Sequence, residues 1–225
     1  MQRLLETSSQ PTVVRDGQSV TRLQVLHQEL AACHKCSKMI GPVVHGPAIQ
    51  SPVLLIGQAP GPHEGNLGRP FAWTAGKTLF KWLEGATGAD EEQVRKCVYF
   101  AAVARCFPGK ASGGGDRRPD AKEIEHCKPF LAAEVDILEP KLVLAVGTLA
   151  IDQVLGGKHH RLDDVVGTIV KARYHGHDVD VIALPHPSGA SPWHKIEPGK
   201  SLLARALHKV RKHPAMIEAL GIEKS

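Results

Sequence analysis

The sequence has few aromatic residues and no long apolar run. Phe, Trp and Tyr make up 4% of its 225 residues, and it contains five cysteines. Apolar runs such as residues 142–146 and 179–184 fall far short of the ~20 residues that cross a bilayer. Residues 1–17 carry early charges and lack the apolar core of a signal peptide. We therefore expect a cytoplasmic protein, outside membranes, whose cysteines stay reduced and form no disulfide framework.

The length and charge of the chain set its broad class. Its 225 residues fit one domain spanning 1–225, and we expect it to act as a monomer. The net charge of +5 suits a polyanionic partner, although a similar excess is common in proteins that bind none. Basic residues concentrate in 105–118 and 195–212, where they could neutralise phosphates. A solvated helix face is the alternative for the second stretch.

Apolar runs alternate with segments of helical spacing. The runs predict buried strands at 53–56, 98–104, 142–146 and 179–184. Helical spacing predicts helices at 20–32, 76–86, 121–138 and 148–155. This alternation favours an α/β fold with a parallel sheet covered by helices on both faces. In such sheets ligands bind beyond the carboxyl ends of the strands, so the loops that follow those ends are the candidate functional segments.

A glycine-rich basic segment, residues 108–119, interrupts this pattern. It contains Lys110, Arg117 and Arg118 among four glycines and two prolines, too many helix and strand breakers for regular structure. The segment is long for a passive connection, and we predict a mobile basic loop that contacts phosphates. A disordered linker is the alternative.

Four of the five cysteines form a suggestive pattern. Cys33 and Cys36 are a two-spaced pair, whereas Cys106 and Cys127 flank the basic segment. The pair alone fits a redox dithiol, half a zinc site or coincidence. Zinc would accept all four, but structural zinc sites usually have two close pairs, so the scattered spacing favours an iron-sulfur cluster. Cys97 is the odd one.

Several short motifs occur together in a recognisable order. Residues 57–61 read GQAPG, residues 63–66 read HEGN, and residues 68–71 read GRPF before Ala75 and Gly76. Cys106 and Cys127 stand in CxP-like and CxPxL-like elements, 142–147 form a strand ending in glycine, and 186–188 read HPS. In this order the motifs resemble the uracil-DNA glycosylase superfamily, particularly its iron-sulfur branches, families 4 and 5. The resemblance covers most of residues 30–190.

The resemblance implies a fold, a cofactor and a reaction. It implies a three-layer α/β/α fold with a central four-stranded parallel sheet, in agreement with the strands predicted above. It also implies a structural [4Fe-4S] cluster bound by Cys33, Cys36, Cys106 and Cys127. The implied activity is a monofunctional glycosylase of base excision repair, which flips uracil out of single- or double-stranded DNA and hydrolyses its glycosidic bond. No lysine stands in a motif typical of a Schiff-base lyase, and no GxSxG elbow indicates an α/β hydrolase.

The resemblance and general chemistry together assign roles to loop residues. His186, braced by prolines on both sides, is the expected hydrogen-bond donor to the carbonyl oxygen of the departing base. Phe71 supplies a face for base stacking, although a phenylalanine after proline is more often a core residue. The backbone at Gly57 and Ala59 can approach the base closely. Ser188 and Ser191 are expected to bind flanking phosphates, with a simple turn-capping role as the alternative for Ser188.

Two departures from the family pattern affect the reaction and its specificity. Gln58 replaces a glutamate of family 4, and a neutral amide can position water but cannot take its proton. Glu64 is the nearest substitute acid, with Asn66 as a further polar candidate and His63 as a second donor. Ala102 stands where the superfamily usually has an asparagine that reads uracil. These departures leave one alternative, a catalytically weak protein of the same fold that binds DNA lesions.

Overall fold

The computed structural model describes residues 17–157, 159–189 and 191–223, which form a twisted sheet between two layers of helices. The sheet has five strands in the order β2-β1-β3-β5-β4. The strands are β1 (Val53–Gly57), β2 (Tyr99–Ala102), β3 (Leu142–Val146), β4 (Val170–Tyr174) and β5 (His177–Leu184). All neighbours pair in parallel except β4 and β5, which are antiparallel.

The helices surround the sheet. They are α1 (Gly17–Ala31), α2 (Glu64–Leu67), α3 (Thr74–Thr87), α4 (Glu91–Cys97), α5 (Ala121–Leu138), α6 (Thr148–Leu155), α7 (Leu162–Val165), α8 (Gly199–Lys212) and α9 (Pro214–Leu220), with a 3₁₀ turn at Trp193–Lys195. Helices α3, α4, α8 and α9 pack on one another, and α1 packs on α5. Right-handed crossovers place α5 and α6 on the face opposite α3. Every helix in the described part is too short or too polar to span a bilayer.

The α/β/α fold predicted from the apolar runs is confirmed, and the sheet has one strand more than the predicted four. All four predicted strands are present and parallel. The added edge strand, β4, escapes an apolar-run search because it alternates polar and apolar residues, with Lys171 and Arg173 exposed. It joins β5 through a two-residue turn at His175 and Gly176, both with positive φ, which is the geometry that tight hairpins prefer.

The strands β1 and β3 lie at the centre of the core, and both were predicted from continuous apolar runs in the sequence. Every residue of both strands is buried, because helices cover both faces of a parallel sheet. Each fully buried leucine or valine contributes roughly 1.5–3 kcal/mol of hydrophobic stabilisation. Strands β1, β2 and β5 all direct their carboxyl ends to the same edge of the sheet, so the loops that follow them meet there.

A buried polar chain lies between α1, β2 and α5. Tyr99 donates a 2.7 Å hydrogen bond to Oε1 of Glu134 and is 2.7 Å from Nε2 of His27. The Tyr99 proton is engaged by Glu134, so Nε2 of His27 is the donor in the second bond. Arg105, 1% exposed, pairs with the other oxygen of Glu134, and its Nε donates to the Ala102 carbonyl at 2.9 Å. Loss of one partner from such a buried pair typically costs about 3–5 kcal/mol.

We predict that His27, in this buried hydrogen-bonded network, makes the free energy of unfolding fall as the solution is acidified below pH 6.5. Burial of the neutral ring, with smaller effects of His45 and Arg105, lowers the pKa of His27 from 6.5 to about 4. Between these two pKa values the unfolded chain binds a proton at His27 and the folded chain does not. The contribution of His27 to the free energy of unfolding is therefore fully present above pH 6.5 and decreases as the pH falls to about 4. The loss from this group is at most about 3 kcal/mol.

His27→Gln tests this prediction, because the glutamine amide can still donate to Tyr99 but does not titrate. Urea unfolding of both proteins between pH 4 and 7 should give a shallower pH dependence for the variant. Equal slopes in that window would show that His27 is not the responsible group.

Candidate active site

A pocket of about 150 Å³ opens at the carboxyl edge of the sheet, where the fold places a ligand site. Most of its lining comes from two stretches of the chain, residues 57–64 with the GQAPG loop and residues 70–75 with Phe71. The rest comes from Val44, Ala102 at the end of β2, Asp116 in the basic segment, and His186 and Ser188 after β5. Loops that are distant in sequence thus converge on one site, as the order of the strands predicts.

Phe71 has an unusual backbone conformation that two glycines make possible. Its φ is 52°, a left-handed value that is rare for an aromatic residue. A methyl group on Gly57 would lie 2.6 Å from Cζ of the Phe71 ring, and one on Gly76 would lie 1.7 Å from the Phe71 carbonyl oxygen. Only glycine fits at either position. The two glycines therefore fix the ring against the end of β1, where it lines the pocket.

Arg95 holds this conformation, a role that sequence reasoning missed. Its Nη1 and Nη2 donate 2.9 Å hydrogen bonds to the carbonyls of Pro70 and Phe71. Its Nε donates to Glu91 at 2.8 Å, and the guanidinium lies 4.4 Å from the centre of the Phe80 ring. Backbone strain of this kind persists only where the surroundings enforce it. The Glu91–Arg95 spacing is the only sequence signal, and by itself it indicates no more than a helical ion pair.

Glu64 joins the two sides of the pocket. One carboxylate oxygen accepts the Gly61 N–H at 2.5 Å, and the other accepts the Ala72 N–H at 2.9 Å. The side chain also lines the pocket. Because each oxygen is already bonded to the backbone, Glu64 braces the GQAPG loop against the segment that carries Phe71.

His186 is held as a neutral ring with a defined tautomer. It is half-buried between the buried residues Pro185 and Pro187. Burial lowers the pKa of His186 below its ordinary value, and the charge of Asp116 opposes this effect. The Ser188 N–H donates to Nδ1 at 3.2 Å, so the single proton of the neutral ring is on Nε2. The residue therefore provides a neutral N–H donor in the lining of the pocket.

Three predicted site residues lie apart from the centre of the pocket. Gly57 and Ala59 line it, but Gln58 between them does not, because successive side chains of an extended segment point to opposite sides. Asn66 is exposed on α2, two residues from Glu64 and therefore on another face of the helix. His63 lies at the exposed rim, where its ring is 4.3 Å from that of Trp73, centre to centre.

The segment 108–119 has a defined turn structure, contrary to the mobile loop predicted from its glycines. Residues Lys110 and Asp116 form an antiparallel bridge, and the Arg117 N–H donates to the Gly109 carbonyl at 2.8 Å. Gly109 has a φ of 90°, which few other residues adopt. Glycine and proline here specify a tight hairpin-like turn.

Each of the three cations in this segment pairs with a carboxylate. Lys110 is 2.6 Å from Asp116, and Arg118 is 3.4 Å from Asp152. Arg117 makes two hydrogen bonds of 2.7 and 2.8 Å to Glu123, the residue that completes the capping box of α5. The side chains of Lys110 and Arg118 are 60% and 46% exposed, whereas that of Arg117 is 28% exposed. Arg117 therefore anchors the turn, and the other two remain accessible to a phosphate.

Ser191, the remaining predicted phosphate ligand, lies in the loop after His186. Its backbone N–H donates to the Ser188 carbonyl at 3.4 Å, and it does not line the pocket. Its place outside the pocket lining suits a contact with the DNA backbone more than one with the base.

A second cavity, of about 210 Å³, is lined by the four predicted ligand cysteines Cys33, Cys36, Cys106 and Cys127. Burial is the main cause that raises the pKa of the Cys106 thiol to about 11. The charges of the other three cysteines also raise this pKa. No three His, Cys, Asp or Glu residues in the described ranges are arranged to hold a single metal ion. Arg105 also lines this cavity, and its buried Nη1 has no hydrogen-bond partner among the described residues.

The sheet places an aromatic ring and a neutral histidine N–H in one pocket at its carboxyl edge, an arrangement suited to a planar polar ring. Residues 43–211 match the family model of the Uracil DNA glycosylase superfamily. The chain belongs to the uracil-DNA glycosylase superfamily, as its motifs predict.

Three relatives show the breadth of this similarity. The Type-4 uracil-DNA glycosylase of Pyrobaculum aerophilum is 30% identical over 174 residues, which cover 74% of this chain and 83% of that protein. The Type-4 uracil-DNA glycosylase of Sulfurisphaera tokodaii is 28% identical and covers 75% of each chain. The Type-5 uracil-DNA glycosylase of P. aerophilum is 31% identical over 147 residues, 57% of this chain and 62% of that protein.

Proposed function

We propose that this protein is a monofunctional DNA glycosylase that hydrolyses the N-glycosidic bond of uracil in DNA and leaves an abasic site. The observation that carries this function is the neutral Nε2–H of His186 in the lining of a pocket that also contains the Phe71 ring. The names of the relatives support uracil as the base. Base excision repair is the process that this reaction serves.

The pocket suits a base that has been flipped out of the DNA. Extrusion costs a few kcal/mol, which stacking and phosphate contacts must offset. Stacking of the base on Phe71 supplies about 1–3 kcal/mol of this. The main chain at Gly57 and Ala59 can approach the base closely because the loop has little side-chain bulk. Ala102 cannot form the bidentate contact of an asparagine, so recognition of uracil falls to backbone groups and His186.

His186 acts on the departing base. Cleavage of the bond leaves negative charge on the base, mainly on its carbonyl oxygens, and a fixed donor in a water-poor site lowers the barrier. The neutral Nε2–H can donate to this oxygen and keep its proton, and its orientation is set in advance by the Ser188 bond. The same Ser188 contact gives that residue an orienting role beyond phosphate binding.

The four cysteines are the proposed ligands of a [4Fe-4S] cluster. Their thiols surround one cavity without converging on a single point, which suits a cofactor with several metal ions better than one zinc ion. The buried, unpartnered Nη1 of Arg105 at this cavity is also consistent with an anionic sulfur-rich group. The cluster would tie the end of α1, the segment after β2 and α5 together through its ligands.

DNA is the proposed partner, bound across the carboxyl edge of the sheet. Lys110 and Arg118 are the more exposed cations of the turn that carries Asp116, and a phosphate can contact each of them from its exposed side while the carboxylate partner stays in place. Ser188 and Ser191 supply backbone and hydroxyl groups on the other side of the pocket.

We predict that His186→Ala slows excision of uracil by roughly 10²–10³-fold, since loss of one oxyanion donor has an effect of this size in comparable sites. Single-turnover assays with a uracil-containing oligonucleotide, followed by alkali to cut abasic sites, measure the rate. The matched control is His177→Ala, which removes a histidine from the opposite end of the same strand. It should excise at the wild-type rate.

The same assay separates the proposed enzyme from the alternative, a protein that binds lesions with little catalysis. A wild-type chain that binds uracil-containing DNA tightly but releases no free base would support the alternative. A near-normal rate in His186→Ala would instead assign the donor role to another residue, with His63 at the pocket rim as the next candidate.

We predict a brown protein with about four iron atoms and four acid-labile sulfides per chain after anaerobic purification. Cys106→Ala should lose this absorption, whereas Cys97→Ala should keep it, because Cys97 does not line the cavity. One zinc per chain with neither iron nor sulfide would contradict the cluster.

A further inference from the structure

We propose that Asp116 is the catalytic residue that accepts the proton of the attacking water, a role that rests on the proposed glycosylase function. The proposal starts from a gap in the site. Hydrolysis needs a group that takes a proton from the attacking water or stabilises the positive charge on the sugar. At the expected position stands Gln58, a neutral amide that cannot take this proton and carries no negative charge. Its side chain also lies outside the pocket lining.

Two carboxylates line the pocket in the described residues, Glu64 and Asp116. Glu64 is the nearer in sequence to the GQAPG loop, but each of its oxygens accepts a backbone N–H, from Gly61 or from Ala72. Those two bonds hold the walls of the pocket together, and proton acceptance by Glu64 would weaken them. Glu64 is therefore the structural acid of the site.

Asp116 has one oxygen fixed and the other available. Lys110 donates to Oδ1 at 2.6 Å, and the backbone bridge between the same two residues fixes the side chain at the end of the turn. No donor in the described part of the chain bonds Oδ2. A methyl group on Gly61 would be 3.6 Å from this oxygen, so Oδ2 lies directly beside the GQAPG loop.

The positions of Asp116 and His186 allow the two residues to stabilise different parts of the reacting nucleotide. Both residues line the pocket, and the carboxylate is close enough for its charge to raise the pKa of the histidine against the effect of burial. His186 faces the base that gains negative charge, whereas a carboxylate stabilises the sugar that gains positive charge. Opposite charges developing in the reaction are thus matched by groups from two different loops.

The proposed step balances as follows. The water oxygen forms a bond to C1′ of the deoxyribose while the bond from C1′ to N1 of uracil breaks, and its electron pair stays on the base. The Asp116 carboxylate takes one proton of the water. The Nε2–H of His186 stabilises the uracil anion by a hydrogen bond and keeps its proton. Asp116 later releases its proton to solvent.

Asp116→Asn is the direct test, because the amide keeps the shape of the side chain and an oxygen for Lys110 but does not accept a proton at neutral pH. We expect single-turnover excision to fall by about 10²-fold or more. Binding of DNA that carries a non-cleavable 2′-fluorinated deoxyuridine should be unchanged or tighter, since a negative charge near phosphates is lost. Asp116→Glu should recover most of the rate, and added formate should accelerate Asp116→Ala.

Excision by the wild-type chain tests the proposed function, and the ratio of variant to wild-type rates tests the role of Asp116 separately. An Asp116→Asn protein that excises within about threefold of the wild-type rate would overturn the proposal. Equal slowing in Asp116→Asn and Asp116→Glu would also overturn it, because the loss would then follow the shape of the turn and not its proton acceptor. Wild-type thermal midpoints in each variant establish that the fold is intact.

Discussion

The hydrogen bond from the Ser188 N–H to Nδ1 of His186 is the interaction on which the chemistry of the pocket depends. It is 3.2 Å long and joins residues two apart in a loop stiffened by Pro185 and Pro187. Because Nδ1 accepts, the proton of the neutral ring must be on Nε2. Without this bond the imidazole could present an acceptor to the base, which would repel the negative charge that develops there. The HPS motif thus acts as a unit in which the backbone of one residue sets the chemistry of another.

Close backbone packing is the second constraint. Phe71 can reach its left-handed conformation only because Gly57 and Gly76 leave room for its ring and carbonyl, and Arg95 then bonds the carbonyls on either side of it. Glu64 ties the same segment to the GQAPG loop. The stacking face is therefore preorganised before DNA binds, so little of the binding energy is needed to order it.

Arg105 connects the cysteine cavity with the pocket at the carboxyl edge of the sheet. This residue lines the cysteine cavity and donates to the carbonyl of Ala102, which lines the pocket at the end of β2. Its charge is balanced by Glu134, itself bonded to Tyr99. A cofactor bound by the cysteines would therefore support the end of β2, where Ala102 lines the pocket.

The sequence predicted those parts of the structure whose signal is local. Buried parallel strands are continuous apolar runs, so β1 and β3 were visible, whereas β4 alternates polar and apolar residues and was not. The motifs pointed to His186 and Phe71, which both line the pocket. Contacts between distant segments could not be predicted from the sequence. Arg95 on α4 contacts Phe71, and Asp116 lines the pocket from a turn whose glycines had predicted a mobile loop. A motif does not show which way a side chain points, and the Gln58 side chain lies outside the pocket lining.

The tautomer of His186 is the most direct measure of this account. Ring-nitrogen NMR of protein labelled in its histidines, assigned by comparison with His186→Ala, reports which nitrogen carries the proton. At neutral pH we expect an unprotonated Nδ1 and a protonated Nε2, because burial lowers the pKa of the ring and the Ser188 N–H donates to Nδ1. A proton on Nδ1 with a bare Nε2 would contradict it, because His186 could then donate nothing to the base.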